Sequence, residues 1–402
     1  MLGKRAARAI SVALMLAIAP AGWLGAQECD TPFEQVSEDG FGDSNNRYAW
    51  SMAVFGNHLY VGTLNRLAGA QIWRYDGSVW ERVVTDGLGS VENEGVRNLA
   101  VCRGALYAGT DNLTEGAQLW RSADGVTWNV AADGGIGDPT VRSVRSLTCA
   151  TFSDVEYLYF GAQDTEGGAK LFRTREQGIQ PLVLNGFGDA RNDSIHEMEF
   201  FQGALYAGTR NAADGLQIWR TFDGVSFSAV VGPTANTPGG FDYESTGAVV
   251  DLHTFQDQLY VGTINAFNGF GVWRSPNGEQ WEKIGADGFG VPGNDYSWRY
   301  ITYEDQLWLG TLNAFSFFGF STGAGVWRSA DGQQWEELVG SPRATYLGWG
   351  FGDSANIGTR SLAEFQGQLY LGTAQDSRPF APRMGLEVWR WRSGQECAPT
   401  AD

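Results

Sequence analysis

The sequence predicts an all-β fold, a closed seven-bladed β-propeller of four-stranded blades, and three observations lead there. The stretch LYVGTLNRLAGAQIWRYDGSVW (Leu59–Trp80) recurs from Leu106, Leu158, Leu205, Leu259, Leu307 and Leu369, with successive starts 47 to 62 residues apart. A period of that size built from strands and turns alone is the signature of a propeller blade. The chain also carries 55 glycines and 16 tryptophans in 402 residues. Glycine supplies positive-φ turns, and aromatic rings favour pleated, half-buried surfaces. Finally, the repeats are offset from the chain ends. The last recurrence has no outer strand after Trp391, whereas Pro32–Glu38, ahead of the first, reads like one. The ring is therefore expected to close by pairing both ends of the chain in the last blade, which removes the open sheet edge that invites aggregation.

Taken in order, Met1–Gln27 reads as an export signal. Lys4, Arg5 and Arg8 form a basic end, Ile10–Ala19 an apolar core, and Leu24-Gly25-Ala26 a small-residue cleavage site. The mature chain, residues 28–402, is expected to be one propeller domain, outside the cytoplasm in the periplasm or the medium, monomeric and without a membrane span. Within a repeat the expected strands are, in the second, Arg97–Cys102, Ala105–Thr110, Ala117–Ser122 and Trp128–Ala132, joined by tight turns. Four cysteines in an exported chain can pair. Cys29 and Cys397 lie near the two ends, and Cys102 and Cys149 hold nearly equivalent places in consecutive repeats, so the expected bonds are Cys29–Cys397 and Cys102–Cys149.

The formal charge of −18 repels polyanions, which argues against nucleic acid and anionic lipid as partners. The three histidines, His58, His196 and His253, have no metal-ligand spacing, and neither a nucleophile elbow nor a phosphate-binding loop is present. No metal site or cofactor is expected, with calcium the one ion left open.

The turn between the third and fourth strands reads SADGVTW (Ser122–Trp128), SPNGEQW (Ser275–Trp281) and SADGQQW (Ser329–Trp335). These turns resemble the Asp-box, or BNR-type, repeats of secreted propellers, sialidases among them. The turns here are one residue shorter than the family form, and the third repeat (Thr174–Gly178) largely loses the motif. The resemblance implies the fold. It does not place an arginine triad, an acid donor and a Tyr–Glu nucleophile on named residues, so catalytic residues stay unassigned. The arginine closing each third strand (Arg74, Arg121, Arg173, Arg220, Arg274, Arg328, Arg390) recurs in every blade, which speaks for a structural role.

Ligand contacts are expected on the face where the blade-to-blade loops emerge. Asn65, Asn112, Asn211, Asn265 and Asn313, with Asp164 and Gln375, recur there, as do Asp39, Asp43, Asp189, Asn192, Asp353 and Asn356. They offer oxygens to sugars or calcium, or else cap turns through their own backbone. The innermost strands add a ring at the channel mouth: Trp50, Arg97, Arg145, His196, Val250, Trp298 and Arg360. Its residue types change from blade to blade, which suits one asymmetric ligand; arginine can grip carboxylates and tryptophan can stack on sugars. The alternative is packing between blades, with Glu197 and Asp251 as ion-pair partners. Phe315, Phe317, Phe318 and Phe320, then Tyr346 and Trp349, and an insertion with Pro379, Phe380 and Pro382 form a possible aromatic loop patch. The expected function is binding of a glycan or an extracellular protein through this face. Sialidase-like hydrolysis or lyase cleavage of extracellular glycans, with Glu197, Glu199 and Asp251 as acids, and a purely structural surface module are the alternatives.

Overall fold

A computed structural model of the chain describes residues 31–175, 178–242, 246–291, 293–313, 322–375 and 384–394. Among these, every regular element is a β-strand or a short 3-10 turn, as the composition requires. In the first repeat unit the strands Tyr48–Phe55, His58–Leu64, Ile72–Tyr75 and Trp80–Val84 pair antiparallel in chain order. Units with the same order follow from the inner strands Gly95–Cys102, Val141–Phe152, Ser194–Phe201, Ala248–Phe255, Tyr296–Tyr303 and Asn356–Phe365. A single bridge joins each unit to the next, as in Leu64↔Gly95 and Asp111↔Ser143. The last bridge, Ala374↔Tyr48, returns to the first unit, so the sheet closes on itself.

The N-terminal strand completes the last unit. Phe33–Gln35 pairs antiparallel with Val388–Trp391, matching Phe33 to Trp391 and Gln35 to Trp389. The Phe33 ring is 2% exposed and meets Trp391 edge-on at 4.9 Å. The expected partnership of the two chain ends is thus present. Cys29 and Cys397 lie outside the described residues, whereas Cys102 and Cys149 are bonded, across 47 residues of sequence.

The repeated residues have repeated tasks. The glycine in each second strand, followed by threonine in every unit but the third, lies beneath the inner strand of the next unit. A Cβ on Gly62 would sit 2.5 Å from Val96, and one on Gly109 2.6 Å from Val144, so no other residue lets the units approach this closely. The threonine accepts a hydrogen bond across the following loop, as Thr63 does from the Gln71 amide at 2.8 Å. The link between units places a phenylalanine in left-handed backbone, with φ 54° at Phe41 and 61° at Phe187. Bulky residues rarely take that conformation. Here the ring is used: Phe41 stacks on Trp73 at 4.6 Å and Phe241 on Trp273 at 4.4 Å, cementing link to unit.

The Ser-x-Asp-Gly turn is a clamp between units. Asp124 accepts from the amides of Val126 and Thr127, and Ser122 from that of Gly125. Gly125 then lies against Tyr60 of the preceding unit, where a side chain would collide with the phenol. Five of the repeated arginines pair with glutamates, as in Arg74–Glu81 at 2.6 Å and Arg390–Glu34, and Arg173 donates to Gln180 instead. Their role is structural, as their recurrence suggested.

Candidate functional site

The mouth residues share a cause for where they point. In each inner strand the pairing register slips by one residue: between Ala49 and Ser51, Val96 and Asn98, Val144 and Ser146, Ile195 and Glu197, Val249 and Asp251, Ser297 and Arg299, and Thr359 and Ser361. The residue skipped is Trp50, Arg97, Arg145, His196, Val250, Trp298 or Arg360. A β-bulge leaves one residue unpaired and re-aims its side chain. The fold therefore turns one chosen side chain per unit toward the axis and leaves its identity free.

Six of these residues, Arg97, Arg145, His196, Val250, Trp298 and Arg360, line one central cavity of about 210 Å³ together with Tyr48, Tyr296 and Leu312. Trp50 does not. It lines an adjoining cavity of about 240 Å³ with Glu197 and Arg299, and its indole nitrogen is buried without a hydrogen-bond partner. Arg97 bridges the two, its guanidinium 4.4 Å from the centre of the Trp50 ring. Arg360 lies over Trp298 at 5.2 Å. Arg145 donates to Gln163 at 2.6 and 3.0 Å and sits 3.2 Å from His196 Nε2.

The electrostatics of the central cavity are one-sided. Among the described residues, Arg97, Arg145 and Arg360 form no salt bridge, and the Nε atoms of Arg97 and Arg360 lack any hydrogen-bond partner. Burial, then the charge of Arg97, pushes Arg145 down to about 9. Burial and the guanidiniums of Arg299 and Arg97 hold Arg360 well below the ordinary arginine value. Burial and Arg145 likewise push His196 far down, so its imidazole is neutral at pH 7.

The acids expected as partners of this ring are occupied elsewhere. Arg299 Nη1 holds Glu197 at 2.9 Å and Asp251 at 3.0 Å, and Asp251 also accepts from the Tyr300 amide. Burial pushes Glu199 up to about 7 and raises Asp251 as well. A protonated carboxyl near neutrality can donate a proton. Arg299 was not anticipated from sequence. Its signal was there: it follows the bulge directly, in a column that otherwise reads Ser51, Asn98, Ser146, Glu197, Asp251 and Ser361.

The loop residues divide differently. Asn65 Oδ1 accepts from the amides of Leu67 and Ala68, and Asn211 from Ala213 and Asp214. Asp164 and Gln375 do the same in their units, at Gly167 and Gly385. These buried groups cap the turns that build the face. Tyr346 packs on Phe33 and Trp391 at the closing seam, away from the cavity, and half-buried Trp349 begins the link into the last unit. Phe315, Phe317, Phe318, Phe320, Pro379, Phe380 and Pro382 lie outside the described residues.

No helix among the described residues is long and apolar enough to cross a membrane. No family model matches the chain, and no curated protein matches it. Among solved structures it is similar to an ancestral GH74 enzyme, with 11% identity and a TM-score of 0.56 over 92% of this chain and 52% of that one. It is also similar to a prolyl endopeptidase, at 11% identity and a TM-score of 0.50, over 88% of this chain and 49% of the other. A sialidase of Trypanosoma rangeli, solved with sialic acid, matches at 14% identity and a TM-score of 0.44, over 74% and 54%. This chain spans about half the length of the first two. The likeness is one of fold: an all-β, closed, propeller-type ring.

Proposed function

We propose that this protein is an exported seven-bladed β-propeller that binds an acidic sugar, gripping its carboxylate in the central cavity. One observation carries the reading: three guanidiniums converge on a cavity of about 210 Å³ and, among the described residues, none of them forms an ion pair. Burial and mutual repulsion disfavour these cations, and a bound carboxylate relieves both at once. Trp298, Tyr48 and Tyr296 supply ring faces for the apolar side of a sugar. A cationic funnel in a chain of net charge −18 also singles out small anions over large polyanions, which the outer surface repels.

The test is calorimetric titration with glucuronate and N-acetylneuraminate, each beside its methyl ester. The acids are expected to bind and the esters to lose at least tenfold, with Arg360→Met and Arg145→Met each weakening the acids. Equal affinity for acid and ester, or no binding across the panel, overturns the proposal.

A second reading is hydrolysis of such a glycan. Glu199, pushed up to about 7 by burial, stands two residues from Glu197, which Arg299 holds at 2.9 Å, and two carboxyl groups with different surroundings are what acid–base cleavage of a glycosidic bond needs. The GH74 enzyme shares the ring, and this makes glycans the substrates to assay first. Release of sugar that Glu199→Gln abolishes, while acid-sugar binding persists, distinguishes this reading from binding alone.

A further inference from the structure

The third unit departs from its neighbours at three places that pack together. Where the links into five of the other units carry Phe41, Phe187, Phe241, Phe289 or Phe351, the link into the second carries Leu88 and the link into the third Ile136. Where the third strand elsewhere presents Trp73, Trp219, Trp273, Trp327 or Trp389, this one presents Phe172. The position that pairs as Tyr75↔Trp80 and Ser122↔Trp128 in the first two units pairs here as Thr174↔Ile179. Three large rings of the inter-unit sandwich are thus replaced by smaller side chains in one place.

The space they would fill is open. A cleft of about 890 Å³ lies between the link and the third unit, and Ile136, Phe172, Ile179, Pro181 and Leu184 form its apolar walls. That volume suits a small-molecule ligand. A second hollow of about 400 Å³ shares Ile179 with the first and reaches Tyr107 and Gly178. The disulfide Cys102–Cys149 ties these same two units together. The junction that lacks the aromatic cement has a covalent bond in its place, so the cleft can stay open without loosening the ring.

The polar edge of the cleft is acidic. Asp133 and Glu166 are exposed, and Asp138 is half-buried. The one cation there, Lys170, is buried and paired with Asp138 and with Asp164, the latter at 2.7 Å. In neighbouring units this position is Gln71, Gln118 or Gln217, whose side-chain oxygen accepts from an indole N–H. In the third unit that indole is missing.

We propose that this cleft is a binding site for a small aromatic amine, whose ring takes the place of the missing indole and whose ammonium meets the carboxylates of Asp133 and Glu166. The site is separate from the central cavity and does not rest on the acid-sugar reading.

The probes are tryptamine, indole and indole-3-acetate, titrated into the full chain and followed by calorimetry and by methyl shifts of Ile136 and Ile179. Tryptamine is expected to bind with a dissociation constant below about 1 mM, indole more weakly, and indole-3-acetate at least tenfold more weakly than tryptamine. Glu166→Gln with Asp133→Asn should weaken tryptamine several-fold and leave indole unchanged. Phe172→Trp with Ile179→Trp should close the cleft, raise the melting temperature and abolish tryptamine binding. If that variant fails to fold, Ile136→Phe alone tests the same point. Equal binding of tryptamine and indole-3-acetate, tryptamine binding that survives cleft filling, or no saturation by about 5 mM overturns the proposal.

Discussion

Arg360→Met is the sharpest perturbation of the central cavity, because it should strengthen the fold while removing its function. The Arg360 side chain is 5% exposed and, among the described residues, has no ion pair and leaves Nε without a partner. Arg145, in the same cavity, sets the energy scale. Its value of about 9, against an ordinary arginine value near 12.5, disfavours the cation by roughly 4 to 5 kcal/mol at about 1.4 kcal/mol per tenfold change in proton affinity. For a base whose folded pKa is depressed, that cost is present at all pH below the folded value. It fades only as the pH rises from there toward the unfolded value, so at pH 7 Arg145 bears it in full; Arg360 is displaced in the same direction, by burial and by the charges of Arg299 and Arg97.

Methionine keeps the stem and removes the charge, at the loss of the cation–π contact with Trp298, worth about 1 kcal/mol. Allowing for water in the cavity, the net gain is about 2 kcal/mol. With an unfolding entropy of about 2.1 cal/mol/K per residue over a chain of this length, that is a rise of roughly 2 to 3 °C in Tm. The assay is a thermal scan at low ionic strength with and without glucuronate. Glucuronate should raise the wild-type Tm and barely move the variant. A variant that melts lower than wild type without ligand, or that gains as much from glucuronate, would show that the guanidinium is satisfied and that the electrostatic reasoning is wrong.

Other outcomes follow from the same structure. Phe33→Ala should cost about 3 to 4 kcal/mol, since it empties the seam between the two chain ends; denaturant melts read this, and a loss under 1 kcal/mol would mean the closing strand carries little. Cys102→Ser with Cys149→Ser should cost up to about 4 kcal/mol for a loop of this length, and a melt of the reduced wild type should agree with it. Glu199 holds its proton up to about pH 7, above the ordinary glutamate value. The folded state therefore binds more protons than the unfolded state between about pH 4.5 and 7, and stability falls as pH rises through that window. Glu199→Gln should flatten that part of the stability–pH curve, and an unchanged slope would remove Glu199 from the account. A chelator should leave the melting temperature unchanged, because the loop oxygens that resemble calcium ligands are committed to backbone amides; a drop of several degrees would restore calcium.

Much of the fold was legible in the residues because it is said repeatedly. Gly62 and its counterparts, the threonine that follows them, the Asp124-type turns and the offset of Pro32–Glu38 each encode a local rule. Local rules such as a positive φ, a capped turn or an alternating strand are set by near neighbours in the chain. The mouth ring was legible for a related reason: a bulge at a constant distance from Leu59 and its equivalents exposes the one column free to vary. Tertiary structure alone decided how those columns meet. It turned Trp50 into a second cavity, gave Glu197 and Asp251 to Arg299, left Arg97, Arg145 and Arg360 without ion-pair partners, and sent Tyr346 to the seam. Such pairings join residues about 50 to 100 positions apart, as Arg299 with Asp251 and Glu197, and depend on which units are neighbours around the axis. A repeat specifies its own turns and strands, whereas the charge balance at its centre belongs to no single repeat.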